Sequence, residues 1–480
     1  MKSSEVVACV AIVIVGVGLT TLWTSEPAPP PSAAPVPGSA LLVEADRPPI
    51  PDPLAYDGPR LLGVEGWRAD LELLRTAIPR HFSYVEHRAA LCGVDVDALV
   101  DAGLAALADD ATPRDFVAAL KRVIAGLHDG HAFATVDGIP YQQAWRWPVH
   151  LMDSAEGVFV LGVTPGLKTA GTILPGDLVT AVDGVPVDEL IAEQQLQTFA
   201  SSDDARRVWA LHHLPRSWDA ARVEFSLVRE GTPRDVTVDC VPHDTIVGAP
   251  MRLYAEEAFD PGIAPGVAWW RPGKFSPTAD HNDFMALDQA GREAFTEAKR
   301  AGYGERAATL ADHRAVIIDL RGNPGGTDML GQAFASQFVP PESVYFKLQG
   351  RDENGHWYRV SEHTVPALDG REPYDGQIVL IVDERTFSTA DNVAACLVDT
   401  RDDVTVVGRH AGSGTGAPRT FTLPHSGASV TFCTMLVWTA ADRMTEGQGV
   451  VPDIPVTWTI ADWLDERRDP DLAAALAAVR

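Results

Sequence analysis

The chain has 480 residues, of which 46% are hydrophobic and 22% are charged, which is typical of a globular protein with two or three domains. Its formal net charge of −27 disfavours nucleic acids and anionic membranes as partners, because both are polyanions. Its five cysteines include no close pair, which argues against a zinc site and a dense disulfide framework; one disulfide stays possible, and most are expected to be buried.

The N-terminal segment predicts export. Residues 6–23 form an apolar run after Lys2, and a proline-rich stretch follows at residues 27–53. A run of this length fits a cleaved signal peptide or a membrane anchor, and both interpretations of residues 1–24 stay open. Residues 25–60 are predicted to be a linker. The folded part is therefore expected in the periplasm or outside the cell, with the membrane reached only through a possible anchor.

Residues 61–140 are predicted to form an N-terminal helical domain. Apolar side chains recur at helical spacing in residues 67–78 and again in residues 116–123. His128 and His131 follow in a glycine-flanked loop, where a histidine can be catalytic. Two surface histidines are the alternative.

The pattern changes to short β-runs in residues 145–245. Within them, residues 173–187 read ILPGDLVTAVDGVPV and resemble the core motif of a PDZ domain. A module of that kind adds a bound peptide as a strand to its own sheet edge, so this region is expected to bind polypeptide. The alternative is a small β-domain with a tight Pro-Gly turn.

Residues 250–480 alternate between strand and helix patterns, which predicts an α/β core with largely parallel strands. The predicted strands are 266–270, 315–320 and 377–382, and the predicted helices are 286–301, 328–339 and a helix after Ser388. A later hairpin at 419–423 and 429–434 adds antiparallel strands.

Two turns in this core carry the chemistry. The run RGNPGG at residues 321–326 follows a buried strand, and Gly325 offers a bare backbone amide to an approaching oxyanion. Ser388 follows the next buried strand and begins a helix, where its hydroxyl can act as a nucleophile and the amide of Thr389 can be a second oxyanion donor. Ser388 and Asp391 also fit a helix capping box, in which case the serine would be structural.

The combination of motifs resembles the C-terminal-processing and tricorn-core serine peptidases, also called tail-specific proteases. It consists of DLRGNPGG at residues 319–326, TFS at 386–388, the PDZ-like insert and GQGVVPDI at 447–454, in the order of the family. The resemblance covers residues 62–480. It implies a layered core like those of crotonases and Clp proteases, a polypeptide substrate, and neither a metal nor an organic cofactor.

The two branches of that family differ in their base. One branch uses a lysine downstream of the nucleophile, which this chain excludes because no lysine follows Lys347. The tricorn-like branch uses a histidine after the helical segment and a glutamate before the closing run, and these positions hold His131 and Glu446. By that resemblance His131 takes the proton of Ser388 and Glu446 holds the productive tautomer.

One position departs from the tricorn-like pattern, in which a serine precedes the histidine and links it to the glutamate. This chain has Gly130 there. Either Glu446 reaches the imidazole directly or through water, or Asp129 or another group takes over the link.

The sequence therefore predicts an exported serine endopeptidase that captures unstructured polypeptide near a free C-terminus and cleaves it through an acyl-enzyme. The alternatives are a catalytically silent protein that binds a peptide or an apolar ligand on the same fold, and an acyl-thioester enzyme on a related fold.

Overall fold

The structure is a computed structural model that describes residues 54, 58, 60–136, 145–164, 172–217, 222–242, 245, 256–276, 287–350, 357, 360–368 and 370–480. The predicted signal or anchor segment and most of the predicted linker lie outside these residues. Within them, none of the helices has the length and apolar character needed to cross a membrane.

The helices of the described part are α1 Gly63–His81, α2 Val85–Cys92, α3 Val96–Ala105, α4 Pro113–Ala125, α5 Val187–Gln195, α6 Asp203–His213, α7 Gln289–Ala308, α8 Asp328–Ala335, α9 Thr389–Thr400, α10 Ile460–Leu464 and α11 Pro470–Ala478. The strands are β1 Phe133–Thr135, β2 Trp145–Arg146, β3 Val149–Met152, β4 Phe159–Val163, β5 Leu178–Val182, β6 Val185–Pro186, β7 Arg216–Ser217, β8 Arg222–Arg229, β9 Thr232–Asp239, β10 Val241–Pro242, β11 Ala258–Ala264, β12 Val267–Arg271, β13 Ala315–Asp319, β14 Val344–Gly350, β15 Ser361–Thr364, β16 Gln377–Val382, β17 Val404–Gly408, β18 Pro418–Thr422, β19 Ser429–Cys433, β20 Met435–Trp438 and β21 Ile454–Pro455.

The N-terminal helices pack against the late β18–β19 hairpin rather than forming a core of their own. Helix α4 begins with a capping box between Thr112 and Asp115 and a proline at its first turn, and it leads into β1. Strand β1 pairs with β19, and one apolar cluster holds Phe116 of α4 together with Phe432 of β19. The loop after α4, which carries His131, is therefore fixed between the two ends of the chain.

The predicted PDZ-like region contains an antiparallel sheet in the order β3-β4-β5-β8-β9, with α5 and α6 beside it. Alternate residues of β8 are buried, namely Val223, Phe225 and Leu227, as expected for a sheet with one covered face. Strand β9 is paired along its whole length, Thr232–Asp239, with β8.

The α/β core is built on a six-stranded sheet in the order β11-β12-β13-β16-β17-β21, parallel from β12 onward. Its central strands are buried on both faces, which explains their continuous apolar sequence. One face is covered by α7, α8 and α9, and the other by α11. The predicted α/β core is confirmed, and the carboxyl ends of β13 and β16 bring both predicted functional turns to one edge.

Two helices differ from the prediction in their bounds. Helix α8 ends at Ala335 instead of residue 339, and the chain continues in tighter turns, in which the amide of Phe338 donates to the carbonyl of Ala335. Helix α7 continues to Ala308, past the predicted 301, because Tyr303 and Ala307 extend its buried face. The four described cysteines are free; three are buried, as expected for most of them, and Cys92 is exposed.

Candidate active site

The nucleophile turn places Ser388 at the start of α9, but its side chain makes no capping hydrogen bond to the helix. Its Oγ lies 3.2 Å from Nε2 of His131, within hydrogen-bond distance. The capping alternative therefore does not hold, and the hydroxyl faces the imidazole.

Ser388 has a strained backbone, with φ 57° and ψ −127°. Such a conformation costs a non-glycine residue about 1–3 kcal/mol and persists only where neighbouring structure enforces it. Its amide donates to the carbonyl of Gly414 at 2.8 Å. Gly325 packs so close that a Cβ there would lie 2.7 Å from Cβ of Ser388, which explains the glycine. This backbone conformation directs the hydroxyl toward His131 rather than toward the amides of the helix.

The two predicted oxyanion donors differ in their present partners. The amide of Thr389 is at the first position of α9, where a backbone N–H has no partner within the helix. The amide of Gly325 donates to Oδ1 of Asn323 at 3.0 Å. An oxyanion would meet the first donor directly and would have to replace the Asn323 bond at the second.

A buried ionic network anchors the turn at 321–326. Arg321 bonds to Asp319 beside it and to Asp469 and Asp471 at the start of α11. Burial alone would raise the pKa of Asp319, but Arg321 and Arg271 hold it well below its usual range. The charged residues Asp319 and Arg321 of this motif therefore stabilise the turn, and Arg321 joins it to the start of α11.

The imidazole of His131 packs on the ring of Phe387, with 4.6 Å between the ring centroids. The His131 side chain is 14% exposed. Burial lowers the pKa of His131 below 6.5, and the nearby Asp129 carboxylate opposes this fall. The ring is thus kept neutral at neutral pH, the form in which it can accept a proton.

Asp129 is the carboxylate that faces the other ring nitrogen. Its Oδ1 lies 3.9 Å from Nδ1 of His131, too far for a hydrogen bond. Its oxygens accept from the amides of His131 at 2.7 Å and Cys433 at 3.4 Å. Within the described part of the chain, Nδ1 of His131 has no hydrogen-bond partner. A shift of about 1 Å would supply one from Asp129.

Glu446 is fully buried and forms an ion pair with Arg88 of α2. Its Oε2 accepts from the amide of Thr415 at 2.7 Å. Burial raises the pKa of Glu446, and Arg88 opposes the rise. Although both residues are described, no hydrogen bond or ion pair joins Glu446 to His131. The direct contact that was one of the sequence-based possibilities is absent here.

Ser201, which the sequence gave no reason to select, lies between these groups. Its Oγ accepts from the amide of Gly130 at 2.7 Å. Arg88 donates to its carbonyl at 3.2 Å, and the nearby Ser201 hydroxyl lowers the pKa of Glu446. A Cβ on Gly130 would collide with the ring of Phe387 and lie 2.9 Å from this Oγ, which explains why position 130 is not a serine.

Asp129, His131 and Cys433 each bring one possible metal ligand atom within 4.8 Å of the others. The carboxylate of Asp129 accepts hydrogen bonds from the backbone amides of the other two residues. Hydrogen bonding accounts for the cluster, and no ion is assigned to it.

A cavity of about 540 Å³ lies between the PDZ-like region and the carboxyl ends of β16 and β17. The lining includes Asp153 and Val208 on one side and Arg385, His410 and Trp458 on the other. The cavity is therefore at the sheet edge that carries the turn of Ser388. Its lining residue Arg385 is three positions before Ser388 in the sequence.

Comparison with known proteins identifies the core. Residues 293–456 match the model of peptidase family S41, a stretch that contains Gly325, Ser388 and Glu446 but not His131. No curated protein matches the chain.

Solved structures extend the likeness to the fold of almost the whole described chain. Mature CPAF complexed with lactacystin has a TM-score of 0.65 at 16% identity, covering 84% of this chain and 95% of that one. A second structure of mature CPAF has the same TM-score and identity, with coverage of 84% and 94%. The photosystem II D1 C-terminal processing protease, with a TM-score of 0.40 at 14% identity, covers 84% and 99% and is too distant to support an inference. The match of residues 293–456 to peptidase family S41 and the fold shared with mature CPAF both support a serine peptidase.

Proposed function

We propose that Ser388 is the nucleophile of this peptidase and His131 its general base. The observation that carries the proposal is the 3.2 Å distance between Ser388 Oγ and His131 Nε2, on residues that come from opposite parts of the chain. The strained backbone of Ser388 and the neutral imidazole support the same roles.

The reaction follows from these two groups. Ser388 Oγ attacks the carbonyl carbon of the peptide while His131 Nε2 takes its proton. The negative charge moves to the carbonyl oxygen, where the amides of Thr389 and Gly325 would bind it, the latter after leaving Asn323. The C–N bond then breaks as His131 returns the proton to the leaving amine. Water releases the acyl group from Ser388 by the same steps in reverse.

The carboxylate that orients His131 is the finer part of the proposal. The family resemblance gives that role to Glu446, whereas Asp129 is the acid that faces Nδ1, 3.9 Å away. Hydrogen bonds in unliganded active sites are often long and tighten with substrate. We therefore assign the direct contact to Asp129 and an indirect role to Glu446.

The proposed substrate is unstructured polypeptide near a free C-terminus, acted on outside the cytoplasm. The PDZ-like motif and the antiparallel sheet that contains it support capture of an extended chain. The net charge of −27 favours basic or neutral polypeptides over acidic ones. A peptide with a free C-terminal carboxylate should be cleaved faster than the same peptide amidated.

The decisive experiment is hydrolysis of casein by residues 55–480, with Ser388→Ala and His131→Ala beside the wild type. Both substitutions should abolish cleavage, and a fluorophosphonate probe should label the wild type at Ser388 alone. His128→Asn is the matched control, since it changes the other histidine of the same loop and should leave cleavage intact. A wild-type protein that binds polypeptide but is neither labelled nor active would support the silent binding protein instead.

The casein assay also distinguishes the roles of the Asp129 and Glu446 carboxylates. Asp129→Asn should lower kcat by about 100-fold, because an amide cannot stabilise the imidazolium. Glu446→Gln should lower kcat less, once the fraction of folded protein is measured by circular dichroism. The reverse order would return the orienting role to Glu446.

A further inference from the structure

The segment between α5 and α6, residues 196–202, belongs to the predicted PDZ-like region, yet it lies against the loop that carries His131. Ser201 is 4% exposed, and its Oγ accepts from the Gly130 amide at 2.7 Å. Nearby, Arg206 donates to the carbonyl of Ala125, the last residue of α4, at 3.2 Å. The His131 loop is therefore held from outside the helical region in which it is encoded.

Ser201 is also bonded on its far side. Arg88 donates to its carbonyl at 3.2 Å and pairs with Glu446. Ser201 thus joins the peptide group before His131 to a buried ion pair, through its hydroxyl on one side and its carbonyl on the other.

This arrangement leaves no room for a serine at position 130. A Cβ there would overlap the ring of Phe387, on which the imidazole of His131 packs. The hydroxyl beside the base therefore comes from position 201, seventy-one residues away.

We propose that Ser201 is a positioning residue for His131: its hydroxyl holds the Gly130 amide, its carbonyl is held by Arg88 of the Arg88–Glu446 pair, and the two contacts fix the loop that presents the base to Ser388. Glu446 then acts on His131 through Arg88, Ser201 and the backbone. The PDZ-like region completes the active site in addition to any role in binding substrate. The inference rests on the proposed roles of Ser388 and His131.

Ser201→Ala should lower kcat about 10- to 100-fold, because displacement of a catalytic group by about 1 Å has effects of that size. KM for a short peptide should change less than twofold, since Ser201 does not face the substrate. The rate of fluorophosphonate labelling at Ser388 should fall in parallel with kcat, a change that a purely structural role would not produce in protein shown to be folded.

Ser202→Ala is the matched control. Ser202 is adjacent and 8% exposed, and its Oγ accepts one hydrogen bond, from the amide of Ala205 as the N-cap of α6. It should lower the melting temperature, as Ser201→Ala does, while kcat stays within about twofold of wild type, since the Ser202 hydroxyl bonds to α6 and not to the loop that carries His131.

The outcomes separate this inference from the function on which it rests. If the wild type is active and Ser388→Ala is not, but Ser201→Ala and Ser202→Ala have equal kcat, the positioning role is refuted and the proposed function stands. If the wild type is neither labelled nor active on casein, the proposed function fails and this inference fails with it.

Discussion

The proposed nucleophile Ser388 and its proposed oxyanion donors come from the ends of two neighbouring parallel strands, β13 and β16, whereas His131, the proposed base, is held by contacts between segments 71, 304 and 358 residues apart. The nucleophile side is a local design of strand, glycine turn and helix. The surroundings of His131 are not formed by one local segment, since contacts from α2, the α5–α6 connection and the residues after β20 all hold its loop. Substitutions on the first side should therefore act locally, and those on the second should also affect folding.

The largest expected effect is at the nucleophile, where activity and backbone strain can be separated. Ser388→Ala and Ser388→Gly should both lower kcat by about 10⁴-fold or more. Because φ of 57° suits glycine, the glycine variant should be about 1 kcal/mol more stable than the alanine variant. Urea unfolding followed by circular dichroism checks this. Equal stabilities would show that the turn is not strained.

On the base side, the Arg88–Glu446 pair should behave as one unit. Either Arg88→Met or Glu446→Gln leaves the other charge buried and unpaired, which costs about 3–5 kcal/mol of unfolding free energy. The double variant, with neither charge, should be more stable than either single variant. A double-mutant cycle measures this coupling, and simple additivity of the two losses would contradict it.

A serine introduced at position 130, where the tricorn-like pattern has one, should lower activity rather than raise it. Gly130→Ser forces a Cβ against Phe387 and should displace His131, lowering kcat by about 100-fold. Gly262→Ser is the control, because a Cβ there meets only one side-chain atom, 3.8 Å away. Higher activity in Gly130→Ser would mean that the loop has room for the missing hydroxyl.

The smallest effect is on the pH profile. Burial lowers the pKa of His131, so kcat/KM should rise with pH through a value below 6.5, where the imidazolium loses its proton. The carboxylate of Asp129 opposes that fall, so Asp129→Asn should move the acidic limb to still lower pH. Stopped assays between pH 4 and 8 measure the acidic limb of the wild type and of Asp129→Asn. A limb above 6.5 in the wild type would be inconsistent with a desolvated base.

The contrast also explains what the sequence could predict. The α/β core and its two turns follow from local patterns, and Gly325 and Ser388 are found from a buried strand followed by a special turn. Arg88 is indistinguishable in sequence from an exposed arginine on a helix, and Ser201 from the adjacent N-cap serine, because their roles arise only from contacts with distant segments. His131 and Glu446 were found only because they occupy the positions of the base and the glutamate in the family pattern. Spacing alone could not show that Asp129 is the nearer acid.

The apolar cluster that holds α1 and α4 also contains Phe421, Val430 and Phe432 from near the end of the chain. Strand β1, two residues past His131, pairs only with β19 among the described strands. During synthesis, a nascent chain that already contains Ser388 still lacks the surface on which the histidine loop folds. Long-range contacts of this kind form late in folding, because the entropy of closing a large loop must be overcome first. The topology therefore places the completion of the proposed site after nearly all of the chain has emerged.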